Sequence, residues 1–477
     1  MKSKPLYIHG RHMASSTSHA VTNPWNGDHL ADICLADAAQ VGEAVASAHS
    51  AFQTTRKMTA DARAVILDNI AVLIAERRAD FVSTIVAEAG KPVAFAEAET
   101  ERARLTFRFA AALALSDDGH GIAMDASAPG AGHFGIVKRF PMGAILGITP
   151  FNFPLNLVAH KVAPCLATGN TMVLKPALKT PLSSLLLAEV LDAAGVPPGQ
   201  INVVPFNHEH IPPLLVDPRI KMVSFTGSAR VGWQLKSQAA KKKVALELGG
   251  NAAVVVEPDC DWQSAIPKIA SAAYGYAGQS CISVQRILVH REIHGAFRDE
   301  LVTYISEKIP AGDPSDKSTV VGPMINAGER EKVLGWIKEA EARGARLLTP
   351  LRIEGRSLLG PVLLENVPAD CPVLCQEAFA PLAILQSYDS FPEALASVNA
   401  SAFGLQAGVF TADVRKALLA FEELEVGGVM IGQTPTFRAE NMPYGGVKDS
   451  GFGREGVRYA IEEMTEPRCL VINSELN

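Results

Sequence analysis

A cysteine and a glutamate carry the chemistry that this chain offers. Cys281 lies in Tyr274-Gly275-Tyr276-Ala277-Gly278-Gln279-Ser280-Cys281-Ile282-Ser283, a run of mostly small and polar residues. A helical pattern precedes it over Trp262 to Ala273, and a strand-like run, Arg286 to Val289, follows. A nucleophile on a loop between two regular elements is presented at the mouth of a cleft. The alternative is an inert, buried small thiol. Glu247 weighs for the nucleophile. It sits in Val244-Ala245-Leu246-Glu247-Leu248-Gly249-Gly250-Asn251, an apolar run that ends in glycines. A carboxylate buried there without a partner or a task is costly. A thiol and a poised carboxylate make a nucleophile–base pair.

Three further motifs end strand-like runs, and each has two readings. In Gly147-Ile148-Thr149-Pro150-Phe151-Asn152-Phe153-Pro154 the amide of Asn152 is held between aromatics and prolines. It either donates an N–H to an oxyanion or belongs to a structural turn. Lys175, in Leu174-Lys175-Pro176-Ala177, is a cation placed for a ribose or phosphate, or a solvated lysine. Phe225-Thr226-Gly227-Ser228-Ala229-Arg230-Val231-Gly232 follows a strand and opens a helix. Its backbone N–H groups can hold a phosphate, or its glycines only make the turn. It is neither G-x-G-x-x-G nor a Walker A loop, since Trp233 follows Gly232.

The elements that position these residues follow from periodicity. Residues 5–35 read as short extended pieces and turns. From 38 to 116 the pattern is helical: Val41, Val45, Ala48 and Phe52 share one face, as do Ile66, Ile70 and Leu73. Gly90-Lys91-Pro92 breaks this region before a long helix, Ala94 to Leu113. Residues 119–141 look like an arm that leaves the helical body. Strand-like runs at 144–149, 171–175, 201–205, 221–226 and 244–248 then alternate with helical stretches, which predicts a parallel, doubly wound sheet. Such sheets bind nucleotides at the carboxyl ends of their strands. A second alternating block covers 252–448, and Arg468–Asn473 is again strand-like. The expected fold is α/β. It has a Rossmann-like cofactor domain (1–122 and 142–248), an α/β catalytic domain (249–448) and a small β oligomerisation arm (123–141 and 464–477).

Composition excludes other classes. Lys and Arg number 44 against 50 Asp and Glu, a net charge of −6, which argues against nucleic acid as the main partner. No run of about 18 apolar residues predicts a membrane span. The N-terminus, Met1-Lys2-Ser3-Lys4-Pro5-Leu6, lacks the apolar core of a signal peptide. Seven scattered cysteines fit reduced thiols in a cytoplasm. Cys371 and Cys375 have no second Cys/His pair nearby, so no metal site is expected.

Taken together, the motifs resemble the aldehyde dehydrogenase superfamily. They are Asn152 in P-F-N-F-P, Lys175 in L-K-P-A, Phe225 to Ser228, Glu247 in L-E-L-G-G-N, Cys281 in G-Q-S-C, Glu377 in Q-E-A-F-A-P, and the loop 443–451. The resemblance runs essentially end to end. It is nearest to the lactaldehyde and non-phosphorylating glyceraldehyde-3-phosphate-type branches, through P-F-N-F-P-L-N-L, A-H-K, C-I-S-V and the tail Arg458–Met464. It implies that Cys281 attacks an aldehyde, Asn152 holds the oxyanion and Glu247 activates water to release an acid. It implies cofactor contacts from Thr149, Pro150, Phe151, Lys175, Ala177, Leu178, Lys179, Phe225, Thr226, Gly227, Ser228, Val231, Leu248, Gly249, Glu377 and Phe379. It puts Arg102, Phe153, His160, Ser280, Ile282 and Arg438 along the substrate tunnel. That lining favours a short hydroxylated or anionic aldehyde, unless the arginines pair with structural acids such as Glu101 and Glu440. A homodimer or homotetramer is implied as well.

One departure bears on the cofactor. NAD-preferring members usually carry glutamate three residues after the lysine, where this chain has Leu178 and then Lys179. The expectation is NADP, with NAD tolerated. Ala380 stands for the common glycine in F-G-P. A CoA-acylating relative or a silent structural relative usually lacks the glutamate or the cysteine. Both are present here.

Overall fold

The computed structural model, which describes residues 3–116 and 119–473, is built on two large sheets. Residues 1–2, 117–118 and 474–477, the last four belonging to the expected arm, lie outside the described residues.

The first sheet has eight strands. Its central five run parallel in the order Ile201–Val203, Thr171–Lys175, Ala144–Ile148, Ile220–Thr226 and Lys243–Glu247. Leu6–Ile8 and Arg11–Met13 close one edge, and Gly451–Phe452 pairs antiparallel at the other. The strands are short and almost wholly buried because helices cover both faces. Strand order reverses on either side of Ala144–Ile148. A parallel sheet leaves a crevice for ligands beyond the carboxyl ends at such a reversal.

The second sheet has seven strands in the order Arg346–Leu347, Val362–Glu365, Leu382–Tyr388, Val284–His290, Ala252–Val256, Gln406–Phe410 and Gly428–Ile431. All neighbours are parallel except the first pair. A third sheet is antiparallel: Thr465–Asn473 pairs with His133–Pro141, and His133–Pro141 with His120–Ile122.

The helical region folds as four helices, Ala38–Thr55, Ala60–Glu76, Arg78–Ala89 and Val93–Ala114. Asp37 and Gln40 cap the first reciprocally, and Thr59 caps the second. On the second helix the buried stripe is Ala64, Leu67, Ile70, Ala71 and Ile74, while Ile66 and Leu73 are half-buried at its margin. Apolar residues on both sides of Ile70 leave the helix's phase open in the sequence, and packing against Val93–Ala114 sets it.

Candidate active site

Cys281 is delivered by a strained turn. The helix Trp262–Tyr274 ends, and Tyr276, Ala277 and Gly278 follow with φ of 53°, 54° and 63°. Left-handed backbone is rare for residues with a side chain and collects where function needs an unusual path. At Gly278 a Cβ would come within 2.0 Å of the Ala380 carbonyl, so only glycine passes. Gln279 pins the loop: its Oε1 accepts from the Ile325 N–H at 2.8 Å. Its backbone carbonyl accepts from Asn152 Nδ2 at 2.9 Å, which ties the Asn152 loop to the Cys281 loop.

A buried ion pair stiffens the same junction. Lys91 binds Glu99, both inaccessible to solvent. Glu99 Oε1 also accepts from the N–H groups of Leu155 at 2.9 Å and Asn156 at 3.1 Å, capping the helix Asn156–Thr168. The Lys91 ammonium lies 3.6 Å from the ring centroid of Phe153 and 4.4 Å from that of Tyr276. Phe153 therefore packs against this pair and against Tyr276.

Glu247 ends the strand Lys243–Glu247, and both carboxylate oxygens are buried without a hydrogen-bond partner. Burial first, then the neighbouring Glu455, hold this carboxyl well above the carboxylate range against Arg438, Lys161 and Arg454. Gly445 (φ +151°) makes room for it, since a Cβ there would lie 2.9 Å from Glu247 Oε1.

Cys281 is half-buried, and its Sγ lies 2.9 Å from Tyr444 Oη. Desolvation pushes the thiol up to about 12, the Tyr444 bond opposing it. Behind Tyr444 a buried polar network begins. The Arg438 guanidinium carbon stands 3.7 Å from the Tyr444 ring centroid. Arg438 Nη2 lies 3.3 Å from His160 Nε2, 3.4 Å from its Nδ1 and 3.6 Å from Glu455 Oε2. His160 Nε2 is 2.5 Å from Glu440 Oε2, and Arg102 Nε donates to Glu440 Oε1 at 2.5 Å. Lys161 Nζ binds Glu455 Oε1 and Ser224 Oγ, each at 3.0 Å. Arginine only donates and a carboxylate only accepts, so a neutral imidazole bonds to both. Burial and then Arg438 hold His160 below its usual value. Burial would raise Glu440, yet His160, Arg102 and Arg438 hold it well below the carboxylate range.

Of the six expected tunnel residues, Ser280 and Ile282 flank Cys281. Ile282 packs with Leu405 and Tyr444. Arg438 and His160 lie behind Tyr444. Arg102 pairs with Glu440, while Glu101 bonds Arg104 instead. One Arg102 nitrogen, Nη2, is buried and unpaired.

The expected cofactor residues gather at the carboxyl ends of the first sheet. Register aligns Ile148 with Lys175 and with Phe225, and Thr226 with Glu247. Thr149, Pro150 and Phe151 leave the central strand there. The Gly227 N–H donates to the Glu247 carbonyl at 3.0 Å, and Ser228 opens the helix Ala229–Gln238, with Val231 half-buried on it. Leu248 donates its N–H to the Ser450 carbonyl at 3.0 Å, and Gly249 follows. Glu377 Oε1 accepts from the Gly250 N–H at 2.9 Å, and desolvation pushes this carboxyl up to about 7. Phe379 (φ 50°) meets Phe151 edge to face at 5.8 Å.

Lys175 tests the fit of a dinucleotide. It is 2% exposed, and among the described residues no carboxylate pairs with it. Burial lowers its ammonium to about 8. Thr226 Oγ1 is also buried and unpaired. A lone ammonium and a lone hydroxyl at strand ends fit a hydroxylated, anionic ligand, so these residues suit a nicotinamide dinucleotide. Ala177 and Leu178 are half-buried, Leu178 against the helical core. Lys179 is exposed and, with Leu178, His19, Thr22, Asn326 and Arg356, lines a cavity of about 190 Å³. Among the described residues, no group of three or more His, Cys, Asp or Glu could hold a metal ion. No helix among them is long and apolar enough to cross a membrane.

Sequence reasoning assigned no role to Tyr444, Lys161, Glu455 or the Lys91–Glu99 pair. His160 and Lys161 side by side in an apolar helical run were a usable signal. Glu455 carried none, because nothing local separates it from a surface glutamate.

Comparison with known proteins gives a consistent answer. The family model described as the aldehyde dehydrogenase family matches residues 12–470. The chain is 40% identical over 475 residues to the 3-sulfolactaldehyde dehydrogenase of Priestia aryabhattai, covering 99% of this chain and 98% of that protein. Its fold is similar to the crystal structure of aldehyde dehydrogenase 21 from Physcomitrella patens in complex with the reaction product succinate, with TM-score 0.96 and 37% identity, covering 100% of this chain and 99% of that one. It is also similar to the glyceraldehyde-3-phosphate dehydrogenase of Methanocaldococcus jannaschii complexed with NADP, with TM-score 0.91 and 35% identity, covering 96% of this chain and 100% of that one.

Proposed function

Because this chain belongs to the aldehyde dehydrogenase family and is an NAD(P)-dependent oxidoreductase, we propose that it oxidises a short polar aldehyde to the free acid through Cys281. The observation that supports this reading is that Glu247, whose carboxylate oxygens have no partner among the described residues, faces Cys281, while the Asn152 side chain is bonded to the Cys281 loop. In this reading Cys281 Sγ forms the bond to the aldehyde carbon. The backbone N–H of Cys281 and the Asn152 amide hold the developing oxyanion. Removing one such donor costs roughly 3–4 kcal/mol of barrier. A bound NAD(P) would supply the hydride acceptor, and Cys281 would carry the acyl group as a thioester. Glu247 then takes a proton from the water that releases the acid. Lys175, Thr226, Gly227 and Ser228 hold the adenosine ribose and pyrophosphate. Glu377 holds the nicotinamide ribose, and Phe379 packs near the ring. The expected division into 1–122 with 142–248, 249–448, and 123–141 with 464–477 is retained.

The substrate follows from the lining. Ser280 neighbours the nucleophile, and Arg438 and His160 stand behind Tyr444, a polar setting where an apolar chain would need hydrophobic walls. This supports a lactaldehyde-, glycolaldehyde- or glyceraldehyde-type substrate. A second reading, an anionic aldehyde, is favoured by the buried, unpaired Arg102 Nη2 and by the similarity to a 3-sulfolactaldehyde dehydrogenase. The test is a panel of lactaldehyde, glycolaldehyde, glyceraldehyde, glyceraldehyde 3-phosphate, succinic semialdehyde and hexanal with each cofactor. Polar members outrank hexanal in kcat/KM if the proposal holds, and hexanal ranking first contradicts it. Arg102→Met lowers kcat/KM more for the anionic aldehydes than for the neutral ones if the second reading is right.

Cofactor choice is proposed as NADP, with NAD tolerated. Leu178 cannot accept from two ribose hydroxyls and does not repel a 2′-phosphate, as glutamate would. Lys175 brings a cation to this edge, and the exposed Lys179 lines one cavity with Leu178. The expected preference is roughly tenfold, near 1.4 kcal/mol. Leu178→Glu should reverse it, read as the ratio of kcat/KM values. Equal values for both cofactors, unchanged in the variant, would show that position 178 does not read the ribose.

Assembly is proposed as a dimer or tetramer. The arm sheet exposes Phe134 (53%), Leu470 (55%), Val471 (47%) and Ile472 (41%). A monomer leaves such strands as a liability. A sedimentation mass near 50.7 kDa at micromolar concentration contradicts this. A cytoplasmic location is proposed on the seven unpaired cysteines.

A further inference from the structure

Tyr444 Oη is the single hydrogen-bond partner of Cys281 Sγ among the described residues, at 2.9 Å. A thiol is a weak donor and a phenol a good one. Once the sulfur is a thiolate it can only accept, so the hydrogen must come from Tyr444. The phenol is buried, and desolvation followed by Cys281 holds it well above its usual value, so it keeps its proton. The other charged or titratable groups facing Cys281 are Glu377, Arg438 and Glu247. Glu377 and Glu247 oppose ionisation of the thiol, which leaves Tyr444 and Arg438 to favour a thiolate. Arg438 does not touch the sulfur. Its guanidinium carbon stands over the Tyr444 ring, 3.7 Å from the centroid, and a cation on the face of a phenol draws electron density from it and strengthens the O–H as a donor. Arg438 is in turn fixed by His160 and Glu455, His160 by Glu440, and Glu440 by Arg102.

We propose that Tyr444 is a catalytic residue, the O–H donor that stabilises the Cys281 thiolate, and that Arg438 is a positioning residue acting through its ring. The inference rests on Cys281 being the nucleophile. It also makes Glu440, His160 and Arg102 a scaffold for the donor, so their burial serves reactivity as well as any contact with substrate.

The experiment is the rate of Cys281 alkylation by iodoacetamide as a function of pH, with the labelled cysteine identified by peptide mass, in wild type, Tyr444→Phe, Arg438→Lys and the double variant. Tyr444→Phe keeps the ring and loses only the hydroxyl. Its midpoint should rise by about one pH unit, so that alkylation below it is roughly tenfold slower, while the high-pH plateau stays at the wild-type rate. Arg438→Lys keeps the charge but loses the guanidinium over the ring. It should raise the midpoint by itself and add nothing to Tyr444→Phe. A role in packing alone would lower the rate at every pH and leave the midpoint in place, and that result overturns the proposal. Independent, additive shifts overturn the part assigned to Arg438. Should Tyr444→Phe fail to fold, Arg438→Lys still decides: an unmoved midpoint there removes the stacked-ring argument. Labelling that maps elsewhere in the wild type refutes the covalent reading itself, a failure distinct from the others.

Discussion

Replacing Cys281 by alanine should lower aldehyde oxidation by roughly four orders of magnitude or more, the scale of losing a nucleophile whose partners remain in place. The change removes one sulfur from a half-buried position. Its neighbours are Tyr444, which keeps its place against Arg438, and Ile282 and Leu405, which also pack with Tyr444. The loop itself is held by Gln279 and by the Asn152 bond, neither of which uses the Cys281 side chain. The fold and the dinucleotide crevice should therefore survive. Titration calorimetry with NADP should give a Kd within about threefold of wild type, while reduced cofactor fails to accumulate. Appreciable residual turnover would contradict a covalent mechanism.

Glu247→Gln should separate the two halves of the reaction. Glutamine has nearly the shape of glutamate, and the buried carboxylate oxygens it replaces have no hydrogen-bond partner among the described residues, so the variant should fold as the wild type does. The first half needs the thiolate and an oxyanion contact and should proceed. The second needs a base for water, and an amide is not one. A stopped-flow trace should show a burst of reduced cofactor near one per active site, followed by turnover slowed by roughly 100- to 10,000-fold. The pH dependence gives a second check. A carboxyl raised by burial and by Glu455 is protonated below its own pKa, and the basic form grows as pH rises. Deacylation in the wild type should thus climb up to tenfold per pH unit until Glu247 is ionised, and Glu247→Gln should lose that slope. Disappearance of the burst along with turnover would move Glu247 to an earlier step, the deprotonation of Cys281.

The architecture was legible because it is written in local patterns. Five strand-like runs, each closed by a glycine, proline or cation, give the parallel sheet, and its alternation with helices leaves one topology class. Family motifs at the strand ends then put Asn152, Lys175, Thr226 and Glu247 on one edge. What the sequence withheld is what depends on tertiary approach. Tyr444 is more than 160 positions from Cys281, roughly a third of the chain, and its hydroxyl has no local signature. Arg102 and Glu440 are brought together across 338 positions. Glu440 was visible only as a neighbour of Arg438 in sequence. The phase of the helix Ala60–Glu76 was ambiguous for a simpler reason: its apolar residues span more than one face, and the packing partner chooses among them.

The account's central claim is a covalent acyl group on Cys281, and intact-protein mass spectrometry tests it most directly. Glu247→Gln is mixed with NADP and excess lactaldehyde, quenched in acid within seconds and mapped by peptide. The account predicts an added acyl mass on the peptide that carries Cys281, close to one per chain, absent without NADP and absent in Cys281→Ala. Steady formation of reduced cofactor with no acyl group on that peptide, or with the group on another residue, would contradict it.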